Sequence, residues 1–251
     1  MNIAFLSAIL PVLVLLWFVY RKDRISHEPF GKLLLTFFVG CLSVVPAAIT
    51  EMFLSAWAPQ TPVLNGLYTG YAVAGFSEEL WKLLLLMLVI WRSRHFDEYY
   101  DGIVYACFLS LGFACVENIQ YVMGGSDPIG TALMRGVLAV PAHFLFAVTM
   151  GYYLSLAKFD PAHRPTHLLK ALVFPVLLHG TYDSLLMVSS NLQGSDSPLS
   201  TIVCIALFLT FIFFDIKMWR WGLRRMSRMQ ERARETGFDR NNPFEGFRWD
   251  V

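Results

Sequence analysis

The chain contains seven apolar segments, each close to the roughly 20 residues that an α-helix needs to cross a bilayer. Lipid offers backbone N–H and C=O groups no partner, so only helices or closed barrels can span it. Hydrophobic residues make up 56% of the 251 residues and charged residues 16%, which argues against an ordinary soluble domain. We therefore predict an all-α, polytopic membrane helix bundle with about seven transmembrane helices. The segments are 3–20, 33–56, 66–91, 102–123, 131–157, 169–189 and 199–216.

The basic residues indicate how the chain is oriented. They occur in the loops after the first, third and fifth segments and after the seventh, and the other three loops contain none. The positive-inside rule then predicts an outside N-terminus and a cytoplasmic C-terminus. Arg21, Lys22 and Arg24 follow the first segment, where a signal peptide would carry small residues at its cleavage site. We therefore expect the first segment to be a retained helix.

The segments divide the chain into a membrane part and a tail. We expect a transmembrane domain at 1–218, with a four-helix catalytic core at about 66–190, and a cytoplasmic tail at 219–251. A basic helix is predicted at 217–236, which favours an amphipathic anchor attracted to anionic lipid, and the last 15 residues are expected to be irregular. The net charge is +1 and no nucleic-acid-binding motif is present, so we expect no nucleic-acid partner.

Ionisable residues interrupt four consecutive apolar segments. Glu78 and Glu79 lie near the middle of the third segment, and Lys82 shares a helix face with Glu78. A carboxylate at the bilayer centre costs about 2.5–3.5 kcal/mol on insertion scales, and two adjacent carboxylates also repel each other. The fourth segment carries Glu117 and Asn118. Such groups indicate chemistry or transport, and the alternative in each case is an ion pair or hydrogen bond that only packs helices.

The fifth and sixth segments add histidines. Arg135 and His143 lie in the fifth, although a single histidine on an apolar helix is more often a core residue than a ligand. His179 and Asp183 in the sixth are four residues apart on one face. That spacing suits two ligands of one metal, and it also lets the aspartate orient the histidine. Because the four segments bring these groups to similar depths, we predict one cavity at or just outside the midplane.

This set of side chains fits two hydrolytic arrangements. Two imidazoles with several carboxylates can bind zinc and activate water, and we expect His143, His179 and Asp183 as ligands with Glu117 as a further candidate. Without a metal, a carboxylate can activate water while a histidine and Asn118 stabilise the oxyanion. Zn²⁺ is the favoured cofactor, and the metal-free glutamate mechanism remains open. The candidate catalytic residues are Glu78, Glu79, Glu117 and Asn118.

The motifs on these four segments resemble those of the PrsW family of intramembrane proteases. That family belongs with the CAAX prenyl endopeptidases and bacteriocin-immunity proteins in one superfamily. The resemblance covers roughly residues 75–185. In CAAX endopeptidases the basic residue of the first motif is an arginine one position later, and the second motif ends in histidine where this chain has Glu117. The matching residues are Glu78, Glu79 and Lys82; Phe113, Glu117 and Asn118; Arg135, Pro141 and His143; and His179, Gly180 and Asp183.

The resemblance implies an endopeptidase of the bacterial plasma membrane. Its substrate would be a membrane-anchored protein, such as a single-pass anti-sigma factor, cleaved near the outer face. Either Glu78 or Glu79 can serve as the group that activates water. The main alternative is a proton-coupled transporter or channel that uses the same residues as a relay, which the lack of an inverted repeat disfavours. A non-catalytic interaction protein is a third possibility, and no oligomeric state is predicted.

Overall fold

The computed structural model describes residues 3–23, 27–193 and 198–235, and within these ranges the chain is helical, with no β-strand. The all-α, polytopic bundle is confirmed. Expectations that concern Arg24, the loop at 194–197 and the end of the tail lie outside the described residues. The α-helices are α1 (Ile3–Lys22), α2 (Phe30–Ser55), α3 (Pro62–Tyr68), α4 (Ser77–Ile90), α5 (Asp101–Gly124), α6 (Pro128–Val137), α7 (Ala139–Phe159), α8 (Arg164–Leu192) and α9 (Pro198–Glu235).

Among the described residues, six helical stretches are long and apolar enough to cross a membrane. They are α1, α2, α5, α6 with α7, α8 with the short turn before it, and α9. The third predicted segment is also helical, but its winding changes along its length. A π-helical segment, Thr69–Phe76, separates α3 from α4. Because π turns within α-helices are frequently found at functional sites, this segment directs attention to the residues that follow it, Glu78 and Glu79.

The fifth predicted segment is long and apolar enough to span a membrane, as expected, but it is not one continuous helix. It forms two helices, because α6 ends at Val137 and α7 begins at Ala139. Pro141 explains the break. A proline has no N–H to donate to the carbonyl four residues earlier, and its ring collides with that carbonyl. The residue four positions before Pro141 is Val137, the last residue of α6.

The loops rich in basic residues lie at one end of the bundle, called the basic end below. Lys32 at the start of α2 donates a hydrogen bond to the carbonyl of Val89, at 2.9 Å. Lys158 at the end of α7 donates to the carbonyl of Trp91, at 2.7 Å. At the opposite end, Asn191 of α8 donates to the carbonyl of Pro62, at 3.0 Å. The alternation of charge along the sequence therefore corresponds to two distinct ends of the molecule.

Close packing against α8 depends on glycines. A Cβ on Gly70 of the π segment would lie 2.4 Å from Ser184 Oγ. A Cβ on Gly180 of α8 would lie 2.2 Å from Cδ1 of Tyr71. No side chain fits at such distances, so glycine allows the π segment and α8 to touch along their backbones. The residues next to these contacts, Glu79 after the π segment and His179 on α8, are thereby brought together.

Helix α9 continues well beyond its apolar part. Its 38 residues give it a length of about 57 Å, whereas the hydrocarbon core of a bilayer is about 30 Å thick. The predicted basic helix at 217–236 is helical as far as Glu235, the last described residue. Met226 and Met229 are buried against the bundle, and Arg225 donates a hydrogen bond to Thr149 Oγ1 at 2.7 Å. The expected boundary after residue 218 lies inside this helix and stays a prediction.

Candidate active site

Lys82 lies at the centre of the buried ionisable residues and has no exposed surface. Its Nζ is 2.9 Å from Glu78 Oε2 and 2.8 Å from Glu79 Oε1. The ammonium also lies 4.0 Å from the centre of the Phe113 ring, a cation–π contact. The sequence paired Lys82 with Glu78 on one helix face. In the structure one lysine reaches both carboxylates, because the i+3 and i+4 positions flank the same face.

His143 on α7 connects Lys82 to Glu117. Its Nδ1 is 3.2 Å from Lys82 Nζ, and its Nε2 is 2.8 Å from Glu117 Oε2. An ammonium can only donate, so Nδ1 must accept from Lys82, and the proton of a neutral ring is then on Nε2. That N–H donates to the Glu117 carboxylate. The tautomer is assigned from these partners.

His179 on α8 lies between two carboxylates. Its Nδ1 is 3.0 Å from Glu79 Oε1, and its Nε2 is 3.2 Å from Asp183 Oδ2. Nε2 is also 3.9 Å from Glu78 Oε1. The ring stacks on Phe146, with centroids 4.7 Å apart. The four-residue spacing of His179 and Asp183 thus brings the two side chains into contact, and Glu79 holds the opposite edge of the ring.

Glu117, Arg135 and Asn118 form a second group beside His143. Arg135 Nη2 is 3.0 Å from Glu117 Oε2, and Arg135 Nε donates to Asn118 Oδ1 at 3.0 Å. Asn118 Nδ2 donates to the carbonyl of Ala8 on α1 at 2.7 Å. Asn118 is completely buried, with both polar atoms of its amide engaged. In this arrangement it links α5 to α1 and α6.

A cavity of about 690 Å³ adjoins these residues and extends toward the end opposite the basic end, where Glu51 and Met187 line it. Its lining is mostly apolar. Glu79, Lys82 and Asn118 do not line it. The two glutamates therefore differ: Glu78 faces the cavity, whereas Glu79 is sealed beneath it. The ionisable residues of the sequence-predicted site that line the cavity are Glu78, Glu117, Arg135, His143, His179 and Asp183.

The donor atoms suit a metal ion. Glu78, Glu79, His143 and His179 each offer one ligand atom, and these atoms lie within 4.8 Å of one another. Two imidazoles with carboxylates are a ligand set that zinc accepts. Glu79 Oε2 is buried and has no hydrogen-bond partner among the described residues. Asp183 and Glu117, which the sequence also offered as ligands, contact the Nε2 atoms of the two histidines.

Phe146 is a site residue that the sequence did not identify. It stacks on His179 and lines the cavity. It follows His143 by three residues, so both side chains project from the same face of α7. Inspection of the positions three and four residues from each histidine would have found it. An apolar residue in an apolar segment gives no other signal.

A helical membrane bundle with buried imidazoles and carboxylates beside a cavity is the arrangement of a membrane-embedded hydrolase. Residues 28–214 match the sequence model of the PrsW family of intramembrane metalloproteases. The chain belongs to this family. It is 32% identical to protease PrsW of Clostridioides difficile over 238 residues, which cover 93% of this chain and 94% of that protein. It is 38% identical to protease PrsW of Bacillus subtilis over 222 residues, which cover 87% of this chain and 92% of that protein.

No solved structure matches the chain. The family and the apolar helices together identify an integral membrane protein and a membrane-embedded protease, whose substrate is a protein in the membrane. The description of the family as metalloproteases agrees with a donor set that fits a metal.

Proposed function

We propose that the protein hydrolyses a peptide bond in a membrane-anchored protein and that Glu78 activates the attacking water. The observation that carries this proposal is the different exposure of the two glutamates. Glu78 faces the cavity, where substrate and water can reach it, and Glu79 is enclosed by Lys82 and His179. Glu79 then has a positioning role. By accepting a hydrogen bond from Nδ1 of His179, it turns Nε2 of that ring toward the cavity.

Zn²⁺ is the cofactor that we propose, held by His143 and His179 with a carboxylate of Asp183 or Glu117, and His143 would exchange its Nδ1 contact with Lys82 for the ion. When bound, the ion would polarise the scissile carbonyl and lower the pKa of a bound water. Charge supports this assignment. Four carboxylates, those of Glu78, Glu79, Glu117 and Asp183, meet two permanent cations, Lys82 and Arg135. A divalent cation would compensate the remaining charge, since buried charges are stable only when they are paired.

The chain's own residues prepare the site for this chemistry. Lys82 keeps the two adjacent glutamates close together, and Arg135 holds Glu117 against His143. Phe146 stacks on the ring of His179 and Phe113 packs against the ring of His143, and these contacts hold the two imidazoles in place. Asn118 positions Arg135 through its amide oxygen. A role for Asn118 in holding the oxyanion requires these hydrogen bonds to break.

The substrate that we propose is a single-pass membrane protein such as an anti-sigma factor, cleaved near the outer face of a bacterial plasma membrane. The cavity supports this choice, because it extends away from the basic end, which the positive-inside rule assigns to the cytoplasm. The N-terminus is then outside and the C-terminus inside. The exposed arginines of the last part of α9 would meet anionic lipid at the cytoplasmic surface.

Replacing each glutamate by glutamine separates their roles. We expect Glu78→Gln to lower kcat by about 10²–10⁴-fold, the usual contribution of a general base. We expect Glu79→Gln to lower kcat less, because glutamine keeps the shape of the glutamate side chain and one acceptor oxygen. The assay is cleavage of a single-pass substrate by the purified chain in liposomes. Glu231→Gln, in the exposed part of α9, serves as the control, and Glu78→Gln cleaving at the rate of the unsubstituted protein would refute the assignment.

Removal of the metal tests the cofactor. We expect a strong chelator to abolish cleavage and added Zn²⁺ to restore it. Elemental analysis of His143→Ala and of His179→Ala should show one equivalent of zinc less than the unsubstituted protein. Full activity after exhaustive chelation, with no zinc in the sample, would favour the metal-free glutamate mechanism instead.

A further inference from the structure

A second cluster of ligand-type side chains lies at the basic end, in the turn that joins α7 to α8. Asp160 follows the last residue of α7, His163 ends a short 3₁₀ turn, and His167 lies at the start of α8. The two histidines are separated by three residues, a spacing found in zinc sites. None of these residues belongs to the candidate active site. His143 and Asp160 are separated by about 25 Å along α7.

The three side chains converge on one point. Asp160 Oδ2 is 3.0 Å from His163 Nδ1 and 3.2 Å from His167 Nε2. One ligand atom from each residue lies within 4.8 Å of the others. Ligands that bind one zinc ion at about 2.0–2.1 Å are separated from each other by roughly 3.3 Å in a tetrahedral site. The ligand atoms are therefore close to the spacing that one small cation needs.

The turn that carries these ligands is rigid. Pro161 and Pro165 fix two of its φ angles. Arg164 Nε donates to the carbonyl of Ala157 at 3.0 Å, which ties the start of α8 to the end of α7. A cluster built on such a turn loses little conformational freedom when it binds an ion, and preorganisation of this kind favours affinity.

The neighbouring cations are directed away from the cluster. Lys158 Nζ donates to the carbonyl of Trp91, and the Arg164 guanidinium lies 5.7 Å from the centre of the Trp91 ring. His163 is well exposed, which leaves open coordination positions for water.

We propose that Asp160, His163 and His167 bind one divalent transition-metal ion of the zinc class at the basic end of the bundle. Imidazole nitrogens with one carboxylate suit Zn²⁺ and its neighbours Co²⁺ and Ni²⁺. The ion would join the end of α7, which carries His143, to the start of α8, which carries His179. It would thereby stabilise the connection between the two helices that supply the histidines of the active site. This inference does not rest on the proposed function.

The test is the zinc stoichiometry of the purified, tag-free full chain in detergent, measured with a metal buffer at micromolar free Zn²⁺. We expect His163→Ala and Asp160→Asn each to bind one equivalent less than the unsubstituted protein, whatever the occupancy of the active site. His95→Ala, another histidine in the loops of the basic end, is the matched control and should bind as much as the unsubstituted protein. Because His163 is exposed, its replacement should leave the fold intact, as circular dichroism can verify.

A second measurement uses stability. Zinc should raise the melting temperature of His143→Ala, in which a zinc site at the active centre is disrupted, and should no longer do so when His163→Ala is added. Equal stoichiometry in His163→Ala and the unsubstituted protein would overturn the proposal. An equal loss in His95→Ala would overturn it as well, because the binding would then be adventitious surface binding by histidines.

Discussion

Lys82 explains how two adjacent carboxylates can exist in an apolar helix. One ammonium contacts both glutamates and His143, and it lies over the ring of Phe113. Removing one partner of a buried charge pair leaves an uncompensated charge, which is more costly than never burying the pair. The contribution of Lys82 is thus to allow two adjacent carboxylates to be buried in this helix. It does not line the cavity where a substrate would bind.

We therefore expect Lys82→Met to lower the free energy of unfolding by about 3–5 kcal/mol, the usual cost of breaking a buried ion pair. Methionine has a similar length and no charge, so the loss would come from electrostatics more than from packing. The measurement is thermal unfolding of the purified chain in detergent. Lys170→Met, on a less buried part of α8, should be close to neutral, and an unchanged melting temperature for Lys82→Met would contradict the argument.

The ionisable site residues could be found from the sequence because a charge in an apolar segment is rare and costly. The directions in which these side chains point could not be found from the sequence. Glu78 and Glu79 differ by one position, and only the structure distinguishes the one that faces the cavity from the one that is sealed. Asn118 was expected to act on the substrate, but its amide contacts Ala8 and Arg135. Long-range partners such as Ala8, 110 residues away, leave no trace in local sequence.

At the scale of helices, the contact of the π segment with α8 assembles the site. Tyr71 and Thr181 share a hydrogen bond of 2.7 Å across this contact, close to the point where Gly180 meets the Tyr71 ring. Gly75 packs against the backbone of Gly180 in the same way. The distance between the two helical segments therefore determines whether His179 can reach Glu79.

Substitution of Gly180 by alanine tests this contact. The new Cβ would lie 2.2 Å from Tyr71 Cδ1, so the ring or the helix must move. We expect a loss of about 1–3 kcal/mol in stability, as for other overpacked cores, and a lower kcat because His179 is displaced. Gly31→Ala in α2 is the control, since a Cβ there meets nothing within 4 Å. Normal activity of Gly180→Ala would show that the contact is more tolerant than its geometry indicates.

The sequence predicted the extent of these helical segments better than their winding. Hydropathy identifies where a segment enters and leaves the bilayer, because that depends on composition summed over about 20 residues. The π segment depends on tertiary contacts of Gly70 and Gly75, which composition does not record. The break at Leu138 was readable in principle, since Pro141 removes the hydrogen bond to Val137.

The whole molecule has two chemically different ends, and the active-site cavity extends toward one of them. The basic end gathers Lys32, Lys158 and Arg164 near Val89 and Trp91. Charge patterning predicted this separation because basic residues are strongly biased to one side of a membrane. The sequence did not predict that α9 would run along the bundle, since a basic helix pattern also fits a segment lying in the interface.

Labelling of single cysteines tests the orientation in the membrane. The four native cysteines are first removed, and one new cysteine is then introduced at a time. Ser126→Cys places it in the loop between α5 and α6, and Ala162→Cys places it in the turn between α7 and α8. We expect an impermeant maleimide to label Ser126→Cys on intact cells and to label Ala162→Cys only after lysis. The reverse pattern would place the basic end outside and contradict the proposed cleavage near the outer face.

The π segment also sets the rotational phase between the two halves of the third span. A π turn holds about one residue more than an α turn. If the eight residues were rewound as an ordinary α-helix with α3 fixed, each would turn through about 100° instead of about 80°, and every later side chain would rotate by roughly 150°. Glu78 would then point away from the cavity that it now faces. The winding of these eight residues therefore decides which side chain faces the cavity, with no change in amino-acid sequence.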